Sequence, residues 1–412
     1  MSIAIIGAGV GGLTAALSLH ATGRRDVTVL EAAREIRDVG VGINLPPHAV
    51  RELTELGLGD ALHAVGVPTK ELSYYDPAGR LIWAEPRGLD AGYRWPQYSI
   101  HRGTLQRILV DAVRERLGAS SIQAGQRVSG VTQDGEAVQI HAVDQATQKP
   151  TNQEAKVAIA ADGIRSPVRN SLYGSSIPIA SNGWVMYRGV TKSGPFLSGR
   201  SMVIIGDETQ RVVVYPIAKG LLNWLLVRPN DSAAKEAELG NWNIPVETDV
   251  IAEFVRDYRF DWLDVHRLVA SSTESYEYPM ADIDPLPRWV FGRCALLGDA
   301  AHAMYPFGSN GASQAILDAR VLAYEMAAHR DAEDGLRAYE AQRRPVASDV
   351  QLANRKQAGD VMSRVSALAR SGAHDDAKAE LQNVERRYKQ LAGFDVEALN
   401  NRKSWSVENT SN

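Results

Sequence analysis

Cysteine is nearly absent from this sequence of 412 residues, since Cys294 is the only one. A chain with one cysteine forms no intramolecular disulfide and no cysteine metal cluster. Because Cys294 begins the apolar run Cys-Ala-Leu-Leu, we expect it to be a buried core residue. The nine histidines lack the HxH and HxxxH spacings typical of metal sites. The sequence therefore predicts no metal site, and His302 is interpreted as a packing residue.

Long apolar runs and an excess of positive charge are missing as well. No stretch approaches the ~18–20 apolar residues that cross a bilayer, so we expect no membrane partner. The chain begins with MSIAII and lacks the basic leader of a signal peptide, which predicts a cytoplasmic protein. A net charge of −4 supplies no basic field for phosphates and argues against a nucleic-acid partner.

What is present is the pattern of an α/β protein. Residues 3–31 predict a strand–helix–strand unit, and helices are expected at 48–62, 102–117 and 312–329. Aromatic-rich segments with strand-like patterning predict a mostly antiparallel sheet, with strands at 184–190, 201–205, 211–217 and 222–227. The predicted fold is therefore a Rossmann-like nucleotide-binding domain with an inserted, mostly antiparallel β-sheet domain and C-terminal helices.

Changes in sequence character give the predicted domain boundaries. The nucleotide-binding domain is expected in two parts, which enclose the sheet domain, and helices with a polar, disordered tail follow. The expected segments are 1–181, 182–282, 283–355 and 356–412.

The first chemical motif is a glycine-rich loop, Gly-Ala-Gly-Val-Gly-Gly, which follows the first strand and opens a helix. Gly7 permits a tight turn, Gly9 lets a pyrophosphate approach the backbone, and Gly12 allows close packing of helix and strand. Glu31 ends the second strand, where a carboxylate accepts hydrogen bonds from ribose hydroxyls and disfavours a 2′-phosphate. The motif predicts a site for FAD or NAD rather than NADP.

Two further loops follow predicted strands. Asp162 lies in an Asp-Gly turn, which on its own is a common connection between a strand and a helix. Asp299 follows an apolar strand, where its carboxylate could bind polyol hydroxyls. Gly311 and Ala312 then open a long helix, whose N-terminus would stabilise negative charge on a reduced flavin.

The three motifs together resemble the class A FAD-dependent aromatic monooxygenases, in both order and spacing. The resemblance covers nearly the whole chain, through Tyr-Glu-Ala-Gln-Arg-Arg-Pro at residues 339–345. Within the family, the stretches at 39–44, 96–103 and 278–280 are most similar to the phenazine-modifying members. Salicylate and 3-hydroxybenzoate hydroxylases are more distant.

The resemblance implies roles for the matching positions. Arg102 would contact the FAD pyrophosphate or ribityl chain, and Val128 would contact the adenosine through its backbone. Asp299 would hold the ribityl chain, and Gly311 with Ala312 would contact the flavin ring. Asp162 would serve both FAD and a transient nicotinamide cofactor.

The resemblance also implies the reaction. NADH or NADPH reduces FAD, O2 converts the flavin to a C4a-hydroperoxide, and an electron-rich aromatic substrate attacks it, while the protein orients the ring and excludes water. Residues expected to line the space between flavin and sheet are Arg188, Tyr215, Trp224, Pro306 and Phe307. Arg188 could pair with a substrate carboxylate or a nicotinamide phosphate.

Several alternatives stay open at this point. A flavin-dependent reductase or epoxidase shares the nucleotide motifs, and a non-catalytic flavin-binding protein would share them too. Tyr215 and Lys219 formally match the YxxxK of short-chain dehydrogenases, but Pro216 and a strand-like pattern argue against the required helix. The exact substrate, the choice of nicotinamide cofactor, a general base and a monomeric or homodimeric state are not determined by the sequence.

Overall fold

A computed structural model of the protein describes residues 1–37, 40–230, 244–356 and 361–406. Val39, residues 231–243 of the predicted sheet domain and the end of the predicted tail lie outside the described residues. The strands are β1 (Ile3–Ile6), β2 (Val27–Glu31), β3 (Gly42–Leu45), β4 (Val67–Pro68), β5 (Glu71–Tyr75), β6 (Leu81–Pro86), β7 (Tyr98–His101), β8 (Ile122–Ala124), β9 (Gln126–Gln133), β10 (Val138–Asp144), β11 (Pro150–Ala155), β12 (Val157–Ala160), β13 (Ala180–Lys192), β14 (Ser201–Gly206), β15 (Arg211–Ala218), β16 (Leu221–Pro229), β17 (Ile244–Pro245), β18 (Arg259–Phe260), β19 (Leu263–Asp264), β20 (Ser275–Asp282), β21 (Val290–Phe291) and β22 (Cys294–Leu296). The α-helices are α1 (Val10–Ala21), α2 (Pro47–Glu55), α3 (Gly59–Val65), α4 (Arg102–Leu117), α5 (Pro167–Tyr173), α6 (Thr248–Phe254), α7 (Val265–Ala270), α8 (Asp299–His302), α9 (Gly311–Ala328), α10 (Ala332–Lys356), α11 (Met362–Arg370), α12 (His374–Leu391) and α13 (Val396–Asn401).

A six-stranded sheet forms the nucleotide-binding core, in the order β8-β2-β1-β12-β22-β21. Its strands pair in parallel, except that β21 is antiparallel to β22. Every residue of β1 and β12 is buried, as expected where helices cover both faces of a parallel sheet. Cys294, at the start of β22, is buried as well, which confirms the expectation for the single cysteine. Burial raises the pKa of its thiol to about 12, so it is unreactive at neutral pH.

The second large sheet has eight strands in the order β17-β20-β13-β16-β15-β14-β5-β6. All neighbours in it are antiparallel except β14 and β5, which confirms the mostly antiparallel sheet. The four predicted strand segments correspond to β13, β14, β15 and β16. The sheet also contains β5 and β6, which precede residue 182, and β13 already begins at Ala180. The domain boundaries themselves stay a prediction.

Successive side chains along these strands point to opposite sides, so the eight-stranded sheet has two different faces. Val212, Val214 and Trp224 on one face are buried together with residues of α6 and α7. Val213 and Leu225 belong to the opposite face, which borders a cavity. The position of a residue along its strand therefore decides whether it belongs to the apolar core or to the candidate site.

The remaining elements close the molecule around this cavity. Helices α11 and α12 share an apolar cluster with the strands β5, β6 and β14. The strands β9, β10 and β11 form a separate antiparallel meander. The helix predicted at 48–62 is divided into α2 and α3, because Gly57 between them has a positive φ of 76°. No helix among the described residues is long and apolar enough to span a membrane.

Candidate active site

The glycine-rich loop between β1 and α1 has the shape of a phosphate cradle. Gly7 has φ +106°, and a Cβ added there would lie 2.3 Å from the carbonyl oxygen of Ala161. A Cβ on Gly12 would lie 2.0 Å from the oxygen of Gly7, so close packing excludes side chains at both positions. At Gly9, in contrast, an added Cβ would meet no atom within 4 Å, and this residue lines the cavity. Protein packing therefore does not explain the glycine at position 9, whereas the approach of a ligand does.

Glu31 is held beside this loop at the end of β2. Its carboxylate accepts hydrogen bonds from the backbone N–H groups of Ala8 and Ala33, both at 2.8 Å. The side chain is thus oriented at the carboxyl edge of the parallel sheet, where nucleotides bind in folds of this kind. The structure brings Glu31 next to the glycine-rich loop, as the motif requires.

Asp162 and Val128, two further predicted nucleotide contacts, are not among the residues that line the cavity. Asp162 follows β12, and its Oδ2 accepts a hydrogen bond from the N–H of Val168 at 3.3 Å. Its Oδ1 is buried and has no partner among the described residues, and burial raises its pKa to about 6. Val128 lies on β9, is buried and pairs with Ala142, outside the described lining of the cavity.

The loops after β22 border the cavity on the same side as the glycine-rich loop, and a buried ion network orients them. Asp318 on α9 accepts from the N–H of Gly298 (3.1 Å), from Nε2 of His302 (2.5 Å) and from Nε of Arg343 (2.8 Å). Asp299 therefore follows a residue whose backbone is fixed from inside the protein. His302 is fully buried in this network, in agreement with its interpretation as a packing residue.

The N-terminus of α9 is fixed in a similar way. Asn310 precedes this helix, and its side chain bonds Nε2 of His48 at 3.0 Å and the hydroxyl of Tyr388 at 3.2 Å. No side chain among the described residues caps the N-terminus of α9, and Gly311 and Ala312 line the cavity. Free backbone N–H groups at this position can stabilise a negatively charged ligand group.

One cavity of about 500 Å³ joins these elements to the eight-stranded sheet. Most predicted site residues line it: on the nucleotide side Gly9, Arg102, Asp299, Gly311 and Ala312, and on the sheet side Arg188, Tyr215, Pro306 and Phe307. The two sides of the predicted site therefore meet in one space.

Trp224 does not line the cavity, contrary to the prediction. Its side chain is fully buried on the opposite face of the sheet, and its Nε1 donates a hydrogen bond to Oγ1 of Thr191 at 3.1 Å. The neighbouring Leu225 lines the cavity instead. A shift of one residue along a strand exchanges the two faces, so the sequence pattern alone selected the wrong residue.

Arg188 and Tyr215 belong to one hydrogen-bonded group that joins the sheet to β3. The guanidinium of Arg188 donates to the carbonyl oxygen of Gly42 at 2.5 Å, and the N–H of Gly42 donates to Asn223 at 2.7 Å. Burial raises the pKa of Tyr215, which also bonds Arg188 and Asn223. The tyrosine hydroxyl therefore stays neutral at physiological pH, and its oxygen accepts the hydrogen bond from Arg188, since a guanidinium only donates.

The cavity also has lining residues that the sequence reasoning missed. Arg211 lies four residues before Tyr215 on the same face of β15, and this even spacing along an alternating strand was the signal that could have found it. Val361, Leu381 and Glu385 come from the C-terminal helical region, and no local motif connects them with the nucleotide loops.

Comparisons with known proteins show the family to which the chain belongs. A family model described as an FAD binding domain matches residues 1–353. The chain belongs to this family. It is 45% identical to a phenazine 1,6-dicarboxylic acid hydroxylase, PhzS, of Lysobacter antibioticus over 362 residues, which cover 86% of this chain and 89% of the relative. It is 32% identical to a 3-hydroxybenzoate 6-hydroxylase of Aquipseudomonas alcaligenes, with 82% and 84% covered.

A solved structure of Klebsiella pneumoniae HpxO with FAD and uric acid is similar as well. It matches with a TM-score of 0.78 and 26% identity, over 95% of this chain and 96% of that one. Because relatives along nearly the whole chain are aromatic hydroxylases and monooxygenases, this member of the FAD-binding family is an FAD-dependent aromatic monooxygenase. The open cradle at Gly9, the oriented Glu31 and the N-terminus of α9 fit FAD, which confirms the predicted cofactor.

Proposed function

We propose that this monooxygenase hydroxylates a planar, carboxylated N-heteroaromatic compound of the phenazine type. NADH or NADPH and O2 are its co-substrates. The observation that carries the proposal is that the dinucleotide-binding loops line the same cavity as Arg188 and Tyr215 of the sheet. When bound, FAD supplies the redox and oxygen-activating chemistry, and the protein supplies binding, orientation and exclusion of water. A cytoplasmic monomer or homodimer is part of this proposal.

The nucleotide-side residues are proposed to hold FAD according to their positions. Gly9 and the N-terminus of α1 would receive the pyrophosphate, and Glu31 would accept from the adenosine ribose. The other proposed contacts are Arg102 with the pyrophosphate or ribityl chain, Val128 with the adenosine, Asp162 with FAD and the nicotinamide cofactor, Asp299 with the ribityl chain, and Gly311 and Ala312 with the ring.

The sheet side is proposed to orient the substrate. Burial raises the pKa of both Tyr215 and Tyr278, so each would present a neutral hydroxyl as a donor. The buried Nε of Arg188 has no hydrogen-bond partner among the described residues, and it could donate to a carboxylate. Pro306 and Phe307 would cover the ring from the side of the cofactor loops.

Apolar side chains in the cavity and sequence similarity favour a fused-ring substrate over a simple benzoate. Met202, Ile204 and Leu72 line the cavity together with Arg188, so a flat ring system could contact several apolar side chains there. The relative with 45% identity is a phenazine dicarboxylate hydroxylase by its name. A hydroxybenzoate is the second candidate, because the 32% identical relative is named for such a compound.

Turnover of a substrate panel by the purified holoenzyme tests this proposal. Oxidation of NADH and of NADPH would be followed with phenazine-1-carboxylate, phenazine-1,6-dicarboxylate, salicylate and 3-hydroxybenzoate, and products would be identified by mass spectrometry. We expect a phenazine acid to give the largest kcat/KM and a hydroxylated product, and product mass shows whether a carboxylate is lost. Stimulation by the benzoates alone would overturn the substrate class. Nicotinamide oxidation without an oxygenated product would favour a reductase, and absence of oxidation with every compound a non-catalytic protein.

A further inference from the structure

Asn310 lies at the position that precedes α9, where asparagine is among the residues that most often cap a helix. A capping side chain accepts a hydrogen bond from the second or third N–H group of the helix, which here belong to Ala312 and Ser313. The side chain of Asn310 makes no such bond. Its backbone angles, φ −105° and ψ −14°, also differ from the extended conformation typical of a cap. The helix therefore begins with uncapped N–H groups although a capping residue type precedes it.

Two buried residues outside α9 hold the amide of Asn310 instead. Tyr388 donates its proton to the carbonyl oxygen of Phe307 at 3.3 Å, so its hydroxyl oxygen accepts from Nδ2 of Asn310 at 3.2 Å. The amide oxygen of Asn310 therefore faces His48, and Nε2 of His48 donates to it at 3.0 Å. The same oxygen also accepts from Nε2 of Gln314 at 3.2 Å. Both ends of the amide are thus bonded away from the N–H groups at the start of α9.

The environment of His48 makes it a permanent donor. Its side chain on α2 is fully buried, and its ring stacks on Phe394 with 4.6 Å between the ring centres and an angle of 7° between the planes. Burial lowers the pKa of His48 to about 3, so the ring stays neutral at physiological pH. A neutral ring that donates from Nε2 has no proton on Nδ1, and Nδ1 has no hydrogen-bond partner among the described residues. His48 is not among the residues that line the cavity, so its effect on a ligand there passes through neighbours such as Asn310.

The loop before α9 has a conformation that needs such support. Ser309 has a positive φ of 54°, in the left-handed region that residues other than glycine rarely adopt. A residue keeps such a conformation only where the surrounding contacts determine it. A Cβ added to Gly308 would lie 2.3 Å from the ring of Tyr388, so the tyrosine packs closely against this loop. Release of the Asn310 amide would free the loop to rotate toward the capping conformation.

We propose that His48 is a positioning residue that prevents Asn310 from capping α9 and so leaves the first N–H groups of this helix for the flavin ring. The inference rests on the proposed function, in which Gly311 and Ala312 contact the ring. These N–H groups and the positive end of the helix dipole would stabilise negative charge on the reduced flavin. Without the donor at His48, the amide oxygen of Asn310 would accept from Ala312 or Ser313 and compete with the flavin for that N–H group.

The midpoint potential of bound FAD and the FAD affinity of the flavin-free protein test this inference. The variants are His48→Phe, His48→Gln and the double variant His48→Phe with Asn310→Ala. Phenylalanine retains a ring to stack on Phe394 but donates no hydrogen bond, whereas glutamine places an N–H donor near the position of Nε2.

Loss of a favourable interaction at a helix terminus corresponds to about 5- to 30-fold weaker binding of reduced relative to oxidised FAD. This change lowers a two-electron midpoint potential by about 20–45 mV. We expect the shift in His48→Phe but not in His48→Gln. The double variant should recover the wild-type potential, because alanine at position 310 cannot cap the helix.

Trp224→Phe is the matched control, because it also removes one hydrogen bond from a fully buried ring, but on the face of the sheet away from the cavity. Thermal unfolding of each flavin-free variant shows whether it folds, and potentials are measured at saturating FAD, so that weaker cofactor binding does not contribute. His48→Met, which also lacks a donor, replaces His48→Phe if that variant does not fold.

An unchanged potential in the variant that lacks the donor, an equal decrease in His48→Gln, or no recovery in the double variant would overturn the inference while the proposed function stands. A wild-type holoenzyme that hydroxylates none of the aromatic acids would overturn the proposed function, and the potentials would still decide the role of His48.

Discussion

Nε2 of His302 lies 2.5 Å from Oδ2 of Asp318, and both side chains are fully buried. The same carboxylate pairs with Arg343 at 2.8 Å and accepts from the N–H of Gly298. One buried anion thus connects the loop of Asp299 with the helix that begins at Gly311. The cofactor-side wall of the cavity is held in place by residues that do not line it.

Replacement of Asp318 by Asn should therefore damage both stability and FAD binding. Loss of the negative charge leaves Arg343 buried without its anion, which costs about 3–5 kcal/mol when a buried pair is broken. The unfolding free energy and the flavin content of the purified variant check this. Asp334→Asn is the control, because its pair with Arg337 is exposed and such pairs contribute about 0–1 kcal/mol. Equal effects of the two substitutions would contradict the assigned role of Asp318.

The substitutions Gly9→Ala and Gly12→Ala should differ in their effects on FAD binding and on stability. Gly9→Ala places a methyl group in the open cradle, so the protein should fold normally but bind FAD at least about tenfold more weakly, or ~1.4 kcal/mol. Gly12→Ala forces a collision with Gly7 and should lower the stability of the flavin-free protein itself. FAD titration and thermal unfolding of the flavin-free protein distinguish the two effects. Gly194→Ala, in open space away from the loop, should change neither measurement.

Trp224 and Leu225 provide a test of the two faces of the sheet. Trp224→Phe removes the hydrogen bond to Thr191 and should destabilise the protein by about 1 kcal/mol, with the substrate KM unchanged. Leu225→Ala alters the cavity wall and should change KM for the aromatic substrate. Denaturant unfolding and steady-state kinetics on both variants measure the difference. A larger change of KM in the Trp224 variant would mean that the sheet is in the opposite register.

The buried carboxyl of Asp162 should make the stability of the protein depend on pH. Burial raises the pKa of its carboxyl to about 6, so the folded protein holds this proton more tightly than the unfolded chain does. The contribution of the group to stability is therefore greatest at low pH and is lost as the pH rises from about 4 to about 6. Relative to wild type, Asp162→Asn should gain stability at about pH 8 compared with about pH 5, because it avoids the cost of a buried charge. Thermal unfolding of the flavin-free proteins at both pH values measures this, and a difference that does not depend on pH would contradict it.

Local motifs allowed much of the fold and of the nucleotide side to be predicted. Gly7, Glu31 and Asp299 lie at or just after the end of a strand, Gly311 begins a helix, and such junctions have characteristic spacings. Their exact contacts with FAD stay predictions.

The substrate side was less predictable, because it depends on strand register and on contacts between distant segments. The strand pattern identified β16 but not which face its residues occupy, so Trp224 was selected in place of Leu225. Leu381 approaches the cavity only because α12 packs against strands some three hundred residues earlier in the chain, and no periodicity records such a contact. This part of the prediction was limited by the large sequence separation of the contacting segments, not by weak hydrophobic patterns within them.

The most direct test of the central claim is the product formed from a phenazine acid under isotopically labelled O2. Purified holoenzyme would be supplied with NADH or NADPH, and the product analysed by mass spectrometry. The account predicts a hydroxylated phenazine that carries one oxygen atom from O2, formed only with the flavin-loaded protein. Oxidation of the nicotinamide cofactor with unlabelled or unchanged phenazine would contradict it.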